Sequence, residues 1–230
     1  MIGQWLNRMG SSSTSSSLLA TLLKDYPPYE IPFPGPARLL TEEQAWQNLH
    51  YLLENRKQRI VHLKSLLAHW HIHLDKIVKQ GDYQTLVEEL YQWGGEYWKA
   101  VYKPKLATNE AWKSTTRRGD QVVYSMLMDV AILLGEIVVN RRPSYHWTID
   151  VDPDNVNDEM PTVKRPVLQV ARNDVIPSPI TLDVEALVVD RYLKPDSTIL
   201  RLRNIWLESI NDAIKGLHEE FWYQGTDGTS

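Results

Sequence analysis

Residues 122–139 read Val122-Val123-Tyr124-Ser125-Met126-Leu127-Met128-Asp129-Val130-Ala131-Ile132-Leu133-Leu134-Gly135-Glu136-Ile137-Val138-Val139, the longest apolar run in the chain. The run is nearly long enough to cross a bilayer, which takes about 20 apolar residues. It carries two carboxylates, however, and each would be costly in lipid. The reading is therefore a helix buried inside a protein. A helix apolar on every side must be enclosed by other elements, and that requirement points to a mainly α fold. Asp129 and Glu136 are seven residues apart and share one face of this helix. Such a pair could serve as general acid and base, with burial raising their pKa values. It could equally be architectural, each carboxylate held by an arginine, a tryptophan N–H or backbone amides of a neighbouring segment. No nucleophile motif or phosphate loop accompanies them, so the expectation is a structural role for Asp129 and Glu136, with Trp147 as a third buried polar group. Gly135 is expected to let another element approach the helix closely.

Upstream, Thr41-Glu42-Glu43-Gln44 has the form of a capping box. Apolar residues then recur in steps of three and four from Ala45 to Ile77, interrupted at Arg56, which predicts one long amphipathic helix ending near Gly81. Asp82 is placed to cap a second helix that Pro104 ends, and Asp120 to cap the central one. Downstream, His146-Trp147-Thr148-Ile149-Asp150-Val151 alternates polar and apolar residues, and Pro166-Val167-Leu168-Gln169-Val170 can pair with it. Two further helices are predicted over 180–193 and 197–220. The fold class is mainly α (α+β), a helical bundle-like domain with a small β-hairpin near 146–171.

Domain organisation follows from composition. Residues 11–17 read SSSTSSS, a connector without apolar surface, and Tyr26–Pro36 carries five prolines, which favour an extended strap. The expected division is a flexible N-terminal arm with connector and strap over 1–40, a helical domain over 41–222, and a disordered tail over 223–230. Residues 1–17 are expected to be dispensable for folding. The apolar run Leu18–Leu23, interrupted by Thr21, is too short for a signal-peptide core or a membrane span.

The net charge of −4 and the lack of any long basic block argue against nucleic acid as a partner. The chain has no cysteine, which removes disulfides, thiolate-ligated metals and thiol chemistry. Five of seven histidines fall between residues 50 and 73, with His69 and His73 one helical turn apart and Asp75 close by. Without an HExxH pattern or a third ligand, this cluster is read as a solvated face, and no metal or cofactor is expected. The segment Asp150, Asp152, Asp154, Asp158, Glu159 resembles the opening of a calcium loop. Asn155 stands at its sixth position and Pro161 at its twelfth, which excludes an EF-hand. At a hairpin tip these acids can instead meet a basic protein surface, so Asp152, Asp154, Asp158 and Glu159 are the candidate partner-binding residues. The nine tryptophans are either core or interface anchors.

The order Asp129-Val130-Ala131-Ile132-Leu133-Leu134-Gly135-Glu136, an Arg-Arg-Pro turn, His146-Trp147 and then Pro166-Val167-Leu168 resembles a loose group of small bacterial proteins. In that group a helix with a Leu-Gly-Glu core leads into a Trp-bearing strand, and many members look like cytoplasmic immunity proteins that neutralise toxins delivered by contact-dependent or type VI-like secretion. The pattern extends over roughly 41–205, and its specific part over about 129–170. The resemblance implies a cytoplasmic, non-enzymatic antitoxin that binds its cognate toxin and occludes the active site, away from any membrane. The competing expectation is a structural or adaptor protein of a secretion or phage-like assembly.

Overall fold

Helix α4 (Val123–Arg141) is the axis of the fold, buried along almost its whole length with only Glu136, Val139, Asn140 and Arg141 reaching solvent. The protein is described by a computed structural model over residues 18–74, 83–171 and 179–217. Around α4 stand α1 (Glu42–Leu67), α6 (Val184–Leu193) and α8 (Ile205–Lys215), while α2 (Tyr83–Tyr97) lies against α6 and α8. Short helices α3 (Asn109–Lys113), α5 (Pro153–Asn157) and α7 (Thr198–Leu202) fill the connections. Strands β1 (His146–Ile149), β2 (Pro166–Val170) and β3 (Ile180–Leu182) form an antiparallel sheet in the order β1-β2-β3, packed on α1 and α6. The fold is thus mainly α with a small β element. The apolar faces of α4 that would suit a bilayer by length and composition are covered by the surrounding helices.

Helix α1 starts as its capping box predicts: Thr41 Oγ1 accepts from Gln44 N at 3.2 Å, and Gln44 Oε1 accepts from Thr41 N at 2.9 Å. It stops at Leu67, well short of the expected Gly81. A 3-10 turn (Ala68–Trp70) and a left-handed His71 (φ 58°) reverse the chain, so that Ile72 and Leu74 drop into the core from a new direction. Over residues 68–74 the continuing apolar rhythm therefore reflects burial by a turn and not by helix; Ile77 lies outside the described residues. The predicted cap Asp82 lies outside the described residues.

Three other expectations are corrected. Asp120 does not cap α4; it sits in a 3-10 turn (Gly119–Gln121), pairs with Lys103 Nζ at 2.6 Å, and leaves the turn's own carbonyls to take the amides of Gln121 and Val122. Residues 180–182 are a strand, because β2 leaves one edge open and Ile180-Thr181-Leu182 can pair along it. The last predicted helix is two, since Asn204 breaks off α7 and caps α8 by accepting from Leu207 N at 3.0 Å.

The proline strap is part of the core. Leu19, Leu23, Tyr26 and Tyr29 are buried with the helices, so no packing boundary falls at residue 40. Arg59 Nη1 and Nη2 donate to the carbonyls of Pro28 (3.1 Å) and Pro27 (2.8 Å), and Tyr29 N donates to Ser125 Oγ at 2.8 Å. Prolines have no N–H to satisfy, and here their carbonyls are bonded by a buried guanidinium. Indoles fill the opposite end: Trp70, Trp93, Trp98 and Trp206 succeed one another at centroid spacings of 5.6, 5.9 and 5.7 Å. Every described tryptophan is buried or half-buried, so the described ones serve as core.

Candidate functional site

The acidic segment forms the connection between β1 and β2, and one buried side chain organises it. Asp150 is fully buried and accepts from Asn155 Nδ2 (3.0 and 3.1 Å), from Asp152 N (3.3 Å) and from Thr162 Oγ1. Asp152 is also withdrawn. It is 9% exposed and caps α5, accepting from Asp154 N at 3.0 Å, with Pro153 in the first turn. Asp154, Asp158 and Glu159 face solvent. Of the four predicted partner-binding acids, three are therefore presented, and the fourth shapes the loop. Val156 and Met160 stand among them, 44% and 45% exposed. Glu159 adopts φ 52°, and Met160 N closes the turn on Asn155 O at 2.9 Å.

The carboxylates of α4 meet partners from two directions. Asp129 Oδ1 and Oδ2 accept from Arg59 Nε and Nη2, both at 2.7 Å, and Oδ2 also accepts from Tyr26 Oη at 2.6 Å. Burial pushes the Asp129 carboxyl up to about 6, against the pull of Arg59 and Tyr26, so it stays ionised at neutral pH. Glu136 is half-buried. It accepts from Trp147 Nε1 at 2.9 Å, with Arg56 Nε 3.6 Å away. The indole of Trp147 occupies the space left by Gly135, where a Cβ would lie 2.2 Å from Cζ2. The Leu-Gly-Glu core thus seats a tryptophan of β1: Gly135 makes room and Glu136 accepts a hydrogen bond from the indole N–H.

A second buried charge network escaped sequence reasoning. Glu185, at the start of α6, accepts on Oε1 from Arg117 Nη2 (2.6 Å) and Trp112 Nε1 (3.0 Å), and on Oε2 from Arg165 Nη2 (3.1 Å). Arg165 also pairs with Asp183 at 2.7 Å and stacks over Trp112 with its Cζ 4.2 Å from the ring centroid. Burial alone would raise the Glu185 pKa, but the two guanidiniums and the indole N–H outweigh it and hold it at about 2. Residues 112 and 117, 165, and 185 come from three separate segments of the chain. The one local hint is a glutamate inside the apolar start of α6, Val184-Glu185-Ala186-Leu187.

His69 and His73 do not form a helical pair, because the left-handed His71 lies between them; both are exposed, and Asp75 lies outside the described residues. Among the described residues no group of three or more His, Asp or Glu side chains is placed to hold a metal ion. No protein-family model, curated protein or solved structure matches the chain.

Proposed function

We propose that the protein is a non-enzymatic binding protein of the immunity kind, which neutralises a toxin by seating the β1–β2 connection in a basic active-site cleft. The observation that carries this reading is the composition of that surface: exposed Val156 and Met160 set among exposed Asp154, Asp158 and Glu159. Apolar anchors supply contact area in a protein interface, and the surrounding acids steer association and exclude wrong partners. The loop is organised before any partner arrives, because Asp150 and Asp152 spend their carboxylates inside it, and preorganisation lowers the entropic cost of binding. The buried carboxylates Asp129 and Glu185 are engaged by arginines, which favours architecture over acid–base chemistry at those positions.

The test isolates the partner by affinity capture on the full chain and measures association with the purified partner. Replacing Asp154, Asp158 and Glu159 together by lysine is expected to slow association by at least about tenfold at low salt and to weaken its salt dependence. Circular dichroism should not change. Native association rates for the triple variant would refute the loop as the interface.

The adaptor reading has an observation of its own. Ile199 and Leu202 on α7 are 62% and 80% exposed. If replacing them with serine, and not the lysine reversals, abolished capture, α7 would be the contact and the adaptor reading would be favoured.

A further inference from the structure

We infer that the cleft between the proline strap and the β1–β2 hairpin is a binding site for a short-chain carboxylate. The site takes Lys164 and Arg165 from the base of the β1–β2 connection but none of the acids exposed at its tip, and the inference does not rest on the partner-binding reading. The cleft has a volume of about 70 Å3 and is lined by the strap, α3, α4, the residues leading into β2, and Glu185 of α6. By the same measure a single water needs about 10–15 Å3, so there is room for a small organic acid.

Its polar groups are donors in surplus. Both oxygens of Glu185 are already occupied by Arg117, Trp112 and Arg165. Asn48 Oδ1 takes the amide of Phe33 at 2.9 Å. On the donor side stand Lys113, exposed at the mouth, and Lys164, whose Nζ spends one proton on Leu40 O at 2.6 Å and keeps two. The deepest donor is Tyr29. It is 2% exposed, lines the cleft, and its hydroxyl has no hydrogen-bond partner. The Arg117 guanidinium, which lines the same cleft, stands with its Cζ 5.1 Å from the Tyr29 ring centroid. A buried hydroxyl without a partner is costly, and an acceptor supplied by a ligand would relieve it.

Charge gives the sign of that ligand. Arg117 and Arg165 are balanced by Glu185 and Asp183, so Lys113 and Lys164 leave the cleft net positive. The remaining wall gives its character: Ile31, Leu40 and Met128 are apolar and offer contact to a hydrocarbon chain. A planar anionic acceptor carrying two to three carbons satisfies both halves. Arg117 and Lys164 also hold left-handed backbone conformations (φ 58° and 60°), of the kind retained where surrounding structure or function demands a fixed side-chain position.

Calorimetric titration of the full chain with sodium butyrate, inorganic phosphate and n-butanol tests the inference. Butyrate should bind saturably at one site. Phosphate should bind at least about tenfold more weakly, the difference that two buried methylenes make. Butanol, without the charge, should be weaker still. Tyr29→Phe should leave the melting temperature of the ligand-free protein equal or higher, since it removes an unpartnered hydroxyl, while weakening butyrate about tenfold. Lys113→Ala, at an exposed position, should weaken butyrate by roughly twofold to fivefold. The inference is overturned if butyrate gives no saturable heat, if phosphate matches it, or if Tyr29→Phe leaves butyrate affinity unchanged. A lower melting temperature for ligand-free Tyr29→Phe would overturn it as well, because the hydroxyl would then already be engaged.

Discussion

A Cβ at residue 135 would come within 2.2 Å of Cζ2 and 2.8 Å of Cη2 of Trp147, far inside van der Waals contact with a rigid ring. Gly135→Ala must therefore push β1 off α4 and lengthen the 2.9 Å bond from Trp147 Nε1 to Glu136. The expected loss is about 3 kcal/mol, at the upper end of overpacking costs, read as a lowered midpoint in chemical denaturation. Asp129 is constrained differently. Three hydrogen bonds converge on a carboxylate that no water reaches. Asp129→Ala leaves Arg59 charged and buried without its counter-ion, and about 2–4 kcal/mol of stability should go with it. Unchanged melting of this variant would contradict the placement of Arg59.

At the scale of elements, the strap shows why a proline-rich segment can be structural without being regular. Tyr26 donates to Asp129, Tyr29 N bonds Ser125 of α4, and Arg59 of α1 takes two successive strap carbonyls. The two helices are thus tied together through the strap as well as by the Arg59–Asp129 ion pair. Tyr29 lies between two guanidiniums, with Cζ of Arg59 and Arg117 at 5.6 and 5.1 Å from its ring centroid. A chain beginning at residue 40 would lose Leu19, Leu23, Tyr26 and Tyr29 from the core and expose Arg59 and Asp129 together. It should fail to show a cooperative thermal transition, whereas a chain beginning at residue 18 should retain one. Cooperative melting of the shorter chain at the native midpoint would show that the strap is only a covering.

The whole molecule should carry its charge networks into its pH dependence, and the two networks have opposite signs. Glu185 is held at about 2, below its ordinary 4.5, so its contribution is present above about pH 4.5 and is lost as pH falls toward 2. The shift corresponds to about 3 kcal/mol. Asp129 is raised from 3.8 to about 6, so its protonated form is favoured by folding; the corresponding stability is present below pH 3.8 and is lost as pH rises through 6. Stability should therefore fall as pH drops below about 4, through Glu185, and fall by a comparable amount as pH rises from about 4 to 6, through Asp129. Glu185→Gln should remove most of the acid limb, and Asp129→Asn should flatten the decline between pH 4 and 6. Denaturant titrations across pH 2 to 7 check both, and an acid limb unaltered by Glu185→Gln would place its origin elsewhere.

By itself the sequence determined the central helix, its two carboxylates, the capping box at Thr41, the pairing of 146–149 with 166–170, and the glycine that lets a neighbour in. Each is written in a local pattern: an apolar run, a spacing of seven, a four-residue cap, a two-residue alternation. The ion-pair partner of Glu136 left a trace, since Arg56 interrupts the apolar stripe between Leu52 and Ile60, whereas Arg59, the partner of Asp129, sits beside an unbroken stripe and left none. The tertiary structure alone decided what depends on surroundings. The rhythm past Leu67 could not reveal that His71 turns the chain over, because a buried turn and a buried helix both require apolar residues. Ile180–Leu182 became a strand only because β2 offered an unpaired edge. Asp150, Asp152 and Asp158 look alike in the chain, yet one is fully buried, one is a cap and one faces solvent. The Glu185 network and the cleft beside it bring together residues more than fifty positions apart, and burial and charge pairing over such distances are properties of packing that no local pattern encodes.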